Sequence, residues 1–408
     1  MASSSSFDRL PKDVIADILS RLPAQTLLDL RRVCKLWSSL ILAPSFATEH
    51  LRLRLRLLRS GPHRNLCLLH LPCVPRDRHV PAYDADRCSV LCSDPFSGSF
   101  TLRAKFAIPF DEHAFSFEIV GSVDGLVCVS LLHKSSRLGA DQSTYLWNPA
   151  MRKLRNLGNL GNRDVVDRVA GMSGYRIHGF GRDCRGRIYR VVRITYGRTR
   201  KREKKSSMEA AQVEVCTVGR DSWRMLEPHG VSCFAGDDSR ACINGAIHWL
   251  ASATEDAPYS SILSFEVASQ KFDEFPMPKD YLDEFKLHEE TQASIAALKE
   301  SLATLVYCPG AGNVGSEIHV WVMKQYGVAD SWIKQYTAVV QQRIERVLGS
   351  TGNGEILIHR SDNHKVVCCD PENDMRLEDT GVSGLPDLFD VVDYTESLVW
   401  PDEGHADG

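Results

Sequence analysis

The chain has 408 residues, 43% of them hydrophobic and 25% charged, the make-up of a globular protein large enough to bury a core without disulfide staples. A net charge of −3 gives no general pull toward nucleic acid or anionic membrane, and no run of eighteen apolar residues exists to span one. Collagen-like, disordered and membrane-bundle classes are excluded, and the length predicts two to three domains.

Charge is shared unevenly. Residues 1–60 carry +5 and the remainder −8, so a basic head precedes an acidic body. The N-terminus lacks the apolar stretch of a secretory leader, which predicts a protein that stays inside the cell. Thirteen cysteines, an odd number without C-x-x-C spacing, are expected as free thiols filling a core in a reducing compartment.

Val14, Ile15, Ile18, Leu19 and Leu22 form one wide apolar stripe at helical spacing, with Pro23 as the expected stop. A short helix through 26–30 and a third through 33–42 follow, and Leu30, Val33, Cys34, Trp37 and Ile41 fall on one face of that stretch. Three short helices before Pro44 are too small a unit to cover all these side chains, so part of the surface is expected to meet another protein. Packing on the rest of this chain is the competing reading. Residues 51–59 alternate Leu and Arg, which fits a strand by period two and equally a helical arm.

Leu10, Pro11, the stretch 12–23, then Val33, Cys34, Lys35, Leu36 and Trp37, then Leu40, Ile41, Pro44, Ser45 and Phe46, together resemble the F-box of plant F-box proteins. Asp17 stands where that family more often has Glu, and Leu30 where Phe is common. The resemblance implies docking on a Skp-type adaptor, and through it on cullin and RING subunits. By the same resemblance the adaptor-binding residues are Leu10, Pro11, Ile15, Ile18, Leu19, Leu22, Leu27, Val33, Cys34 and Trp37. Arg31, Arg32 and Lys35 are placed on the other side of the third helix, as a solvated face or as partners for adaptor acids.

From residue 61 the chain changes to short β-rich runs bounded by Gly, Asn, Asp and Pro. Runs beginning near positions 125, 186, 245, 302 and 354 recur every 52–61 residues, and an earlier unit spans 65–71 and 100–106. About six such units predict a propeller, with a β-sandwich as the alternative. The strings at 121–128, 146–153, 175–181, 189–194, 213–216, 244–250, 262–267, 318–324 and 353–358 resemble the F-box-associated, kelch-like domain downstream of plant F-boxes. That domain is the presumed substrate-recruiting module of its family.

The fold expected is α+β in separate domains. Residues 1–9 form a disordered N-terminus, 10–50 an F-box, 51–63 an ordered junction, 64–400 an all-β propeller-like domain and 401–408 a disordered tail. The six tryptophans of the body are expected to pack between blades. Phosphate-loop, zinc-helix and nucleophile-elbow patterns are absent. Gly179 and Gly181 only superficially open a dinucleotide fingerprint, and the acids Asp280, Asp283, Glu284, Glu289 and Glu290 read as a solvated loop.

The function expected is therefore the non-catalytic substrate-recognition subunit of an SCF-type ubiquitin ligase, recruiting a protein target through its β domain. No cofactor, metal, membrane or nucleic-acid partner is expected. The alternatives are an F-box receptor for a glycan or small molecule, and a nuclear regulator acting without ubiquitin. Arg198, Arg200, Lys201, Arg202, Lys204 and Lys205 lie between two strands as a solvated tip or a nuclear-import signal, so nucleus and cytoplasm are both expected locations.

Overall fold

The computed structural model describes residues 10–401 apart from 61–65, 73–86, 95, 96, 98, 111–113, 134–141, 159–174, 200–206, 221, 255, 256, 279, 282–290, 309–314, 342, 374, 375 and 387. Of the segments expected to be disordered, 1–9 and 401–408, all but Pro401 lies outside these residues, as do four of the five loop acids and most of the basic tip.

The head contains α1 (Lys12–Ser20), α2 (Ala24–Leu30), α3 (Lys35–Ile41) and α4 (Pro44–Ser60). The first helix ends ahead of the predicted stop. Pro23 instead stands at the start of α2, its φ of −59° already suited to the turn that follows. The Leu–Arg alternation belongs to α4, so its helical reading holds and its strand reading falls. Phe46, Ala47 and His50 upstream of it and Leu51 at its start are buried, a helical stripe that begins before the alternation and sets its conformation. The expected F-box boundary at residue 50 thus falls inside a helix, and 51–60 of the junction is its second half.

Six four-stranded antiparallel sheets follow, each a propeller blade. Blade 1 contains β1 (Cys67–Pro72), β2 (Arg87–Ser93) and β3 (Phe100–Ala107). Blade 2 contains β4 (Ala114–Val123), β5 (Leu126–His133), β6 (Gln142–Asn148) and β7 (Lys153–Asn156). Blade 3 contains β8 (Tyr175–Arg182), β9 (Tyr189–Thr199), β10 (Ser207–Thr217) and β11 (Ser222–Leu226). Blade 4 contains β12 (Phe234–Ile243), β13 (Ala246–Ser252), β14 (Ser261–Glu266) and β15 (Lys271–Pro276). Blade 5 contains β16 (Gln292–Leu298), β17 (Ser301–Cys308), β18 (Ser316–Met323) and β19 (Trp332–Val340). Blade 6 contains β20 (Ile344–Ser350), β21 (Ile356–Arg360), β22 (Lys365–Asp370) and β23 (Arg376–Ser383). The last strand, β24 (Phe389–Asp393), returns to blade 1 and pairs with β1, Leu69 facing Val392. The first blade is therefore completed by the end of the chain, which closes the ring.

The predicted anchor positions lie at or beside the turn joining the first and second strands of blades 2 to 6. Asp124–Gly125 and Asn244–Gly245 each place two consecutive residues at positive φ, the signature of a two-residue hairpin turn that matches strand twist. Apolar clusters fill the seams between blades, among them Tyr196, Trp249 and Phe265 between blades 3 and 4, and Leu305, Ile318 and Ile356 between blades 5 and 6. Trp147, Trp249, Trp321 and Trp332 are buried as expected. Trp223 and Trp400 are only partly covered, and each carries cations on its face: Arg193 on Trp223, and Lys153 and Arg155 on Trp400.

Gly179 and Gly181 are strand residues of β8. A Cβ on Gly179 would stand 2.3 Å from the Trp249 ring, and one on Gly181 2.7 Å from Ile247, so these glycines let blade 4 close on blade 3. The expectation of free thiols fails at one pair. Cys67 and Cys92 face each other across β1 and β2 with their Cα atoms 4.1 Å apart, and they are joined as a disulfide. The other ten described cysteines are free.

Candidate adaptor-binding head and its seat on the propeller

The wide stripe of α1 divides along two lines of the helix. Ile15 and Leu19 point inward and are 3% and 2% exposed. Val14 and Ile18, each one position and about 100° away, remain 40% and 43% exposed. Leu27 is fully buried and packs with Ile15, Leu19, Ala24, Ile41, Phe46 and Ala47. Ile15, Leu19 and Leu27 are thus the head's own core and not surface anchors, because a four-helix unit this small uses its best-spaced side chains on itself. Leu22 and Trp37 are half-buried against the same cluster.

Leu10, Pro11, Ile18, Val33 and Cys34 stay on the surface, and Val14 and Leu42 join them. Six of the thirteen exposed large hydrophobic side chains among the described residues fall between Leu10 and Leu57. That crowding on a basic head exceeds the scatter of single apolar residues that any surface shows. The face predicted to unite Leu30, Val33, Cys34, Trp37 and Ile41 is broken. The chain turns between α2 and α3, and Cys34 adopts an extended backbone (φ −157°) where its Sγ accepts the Trp37 N–H at 3.5 Å. Ile41 is therefore buried while Val33 is 61% exposed.

The head is seated on the propeller. Ala150 and Leu398 enter its core cluster, with Met151 partly buried beside them. Leu398 belongs to a strap, residues 394–401, that leaves β24 and crosses blade 2. Asn148 holds the strap by donating from Nδ2 to the carbonyls of Ser397 (3.2 Å) and Val399 (2.9 Å). The Ser397 hydroxyl donates to the Asp124 carbonyl (2.6 Å), the Tyr394 hydroxyl accepts the Ala150 N–H (3.1 Å), and Arg155 donates to the Pro401 carbonyl (2.7 Å). A Cβ on Gly125 would meet the Thr395 carbonyl at 2.4 Å, so only glycine admits the strap here. From the strap, Glu396 accepts the Gln25 N–H at 3.2 Å and pairs with Arg54 of α4 at 3.8 Å.

This seat carries no local sequence signal. The 146–153 string reads as a strand and turn, and only the fold shows that Asn148 grips a segment some 250 positions later.

Strand direction sorts the connections into two sets. The turns on the head side of the ring, such as Asp124–Gly125, Asn244–Gly245 and 149–152, are short. The strands bounding 73–86, 134–141, 157–174, 200–206 and 277–291 end at the opposite rim. Near the axis, Arg240 of β12 pairs with Glu118 of β4 and donates to the Ile119 carbonyl at 3.2 Å. Asp390 of β24 accepts the Ile119 N–H at 3.2 Å; burial raises its carboxyl above the usual range, against the pull of the Arg346 and Arg240 guanidiniums. The inner wall there holds an ion network.

A four-helix head is thus fixed to one rim of a six-bladed propeller, and the strands that bound the longest connections end at the other rim. The chain belongs to the family described as F-box associated beta propeller domain, which matches residues 87–397, and an F-box-like match covers residues 7–51. It is 28% identical to the F-box protein At3g07870 of Arabidopsis thaliana, over 97% of this chain and 93% of that protein. Two further Arabidopsis thaliana proteins are each 24% identical to it. The F-box protein CPR1 aligns over 96% of this chain and 88% of its own length, and the F-box/kelch-repeat protein At3g23880 over 80% and 78%.

Proposed function

We propose that the head binds a Skp-type adaptor through Leu10, Pro11, Val14, Ile18, Val33 and Cys34, and that the propeller's far rim recruits a protein for ubiquitination within a cullin–RING ligase. The observation that carries this is the split of α1: one line of apolar side chains completes the head, and the next is left bare. Catalysis then lies elsewhere in the assembly. The contribution of this chain is effective concentration, since a rigid seat holds the recruited protein in one place relative to the adaptor.

Changing Leu10 and Pro11 to Ala, or Ile18 to Asp, is expected to weaken adaptor binding at least tenfold in a purified assay while leaving the melting of the propeller unchanged. Wild-type affinity in both variants overturns the assignment. Residues 198–205 serve in this reading as an import signal. Changing Lys201, Arg202, Lys204 and Lys205 to Gln is expected to shift a fluorescently tagged chain from nucleus to cytoplasm, and an unmoved distribution excludes the signal.

A further inference from the structure

Between α2, α3 and the 149–152 turn lies a cleft of about 360 Å³, bordered by Leu28, Asp29, Arg31 and Arg32 on the head and by Ala150, Met151 and Arg152 on blade 2. Its charge is lopsided: three guanidiniums against one carboxylate. Among the described residues no ion pair joins any of the three arginines to an acid within 4.0 Å. The Nε of Arg31 is closed to solvent and has no hydrogen-bond acceptor, while Arg32 and Arg152 are exposed at the cleft. Arg31 and Arg32 belong to the head and Arg152 to blade 2, so like charges line both sides of the seam. Arg152 is held there by a turn that places it at φ +53°. The sequence reading put Arg31 and Arg32 on a solvated or adaptor-facing side; Arg32 is exposed as the solvated reading has it, and both arginines also border a cleft shared with blade 2.

We infer that this cleft binds a small anion carrying two or more phosphate groups, which bridges head and propeller. Guanidinium forks pair bidentately with phosphate oxygens, and three of them match more than one phosphate. The volume lies in the range of small-ligand sites, and Leu28, Ala150 and Met151 supply an apolar wall beside the charge. Binding replaces repulsion across the seam with a shared counter-ion, so the ligand sets how firmly the head is held.

The test uses the full chain in complex with its adaptor, titrated calorimetrically with tripolyphosphate at fixed ionic strength. Residues 198–205 carry their own positive charge, so the titration is run on the K201Q/R202Q/K204Q/K205Q chain. Saturable binding is expected, weakened at least tenfold by Arg32→Gln and by Arg152→Gln, and unchanged by Arg103→Gln, which removes the same charge from an exposed position on β3. Amide exchange in α2 and at Ala150–Arg152 is expected to slow on binding. Heat no greater than that of sodium chloride at equal ionic strength overturns the inference. So does wild-type affinity in both cleft variants, or equal competition by a polyglutamate peptide, which would show a preference for negative charge without phosphate.

Discussion

Ile18 and Leu19 are neighbours of similar volume with opposite fates. Leu19→Ala empties a site that is 2% exposed and is expected to cost about 2–5 kcal/mol of head stability, whereas Ile18→Ala, at 43% exposure, is expected to stay within about 0.5 kcal/mol. Thermal melting with amide exchange in α1 checks both, and equal losses would mean that the two lines of the helix are not distinguished as described. The sequence makes the stripe legible, since a period of 3.6 shows in any helix. Which of two adjacent lines turns inward depends on where α4 and the propeller lie, and nothing in 12–22 encodes that. Gly179 poses the same problem. A glycine pair around a Phe superficially opens a dinucleotide fingerprint, and its actual use appears only when Trp249 is seen against it. Gly179→Ala forces a methyl into that ring and is expected to destabilise the propeller by about 1–3 kcal/mol. The loss is read as a lower melting temperature with a changed near-ultraviolet tryptophan signal.

At the scale of elements, the Leu–Arg alternation shows why a local period misleads. Period two over nine residues favours a strand, yet α4 begins upstream at Pro44, and the helical stripe of Phe46, Ala47, His50 and Leu51 runs into the first residue of the alternation. His50 ties this helix to the turn that follows α1, donating from Nε2 to the Leu22 carbonyl at 2.9 Å. Burial holds its imidazole below the ordinary 6.5; the Leu22 hydrogen bond pulls upward, with Arg54 acting against protonation and Glu396 for it. Because the folded pKa lies below the unfolded one, the unfolded head takes up the proton first. The neutral ring's contribution is complete above about pH 6.5 and is lost as pH falls, at up to about 1.4 kcal/mol per unit until the folded pKa is reached. Exchange protection in α1 and α4, corrected for intrinsic rates, is expected to drop between pH 7 and 5 in the wild type. Replacing His50 with Gln should flatten that slope; an identical slope in the variant assigns the pH response to another group.

Across the whole molecule, the recurring 52–61-residue spacing makes a ring of about six units legible, because each blade repeats the same hairpin chemistry locally, while the count of six comes from the fold. Ring closure and the strap were not legible, since both join segments hundreds of residues apart and depend on no short motif. They also have separable consequences. Ending the chain after Tyr394 keeps β24 and its pairing with β1, but removes Glu396, Ser397 and Leu398 from the seat. The propeller is expected to remain monomeric and folded, while exchange in α1 and α2 rises and adaptor binding persists. Ending it before Phe389 removes the inner strand of blade 1, opens an unpaired edge on β1 and uncovers Leu68 and Leu69. That shorter chain is expected to aggregate during size-exclusion chromatography. Should both truncations aggregate alike, the strap would be part of what closes the ring; should both stay monomeric, the pairing of β24 with β1 would not be what holds the first blade to the last.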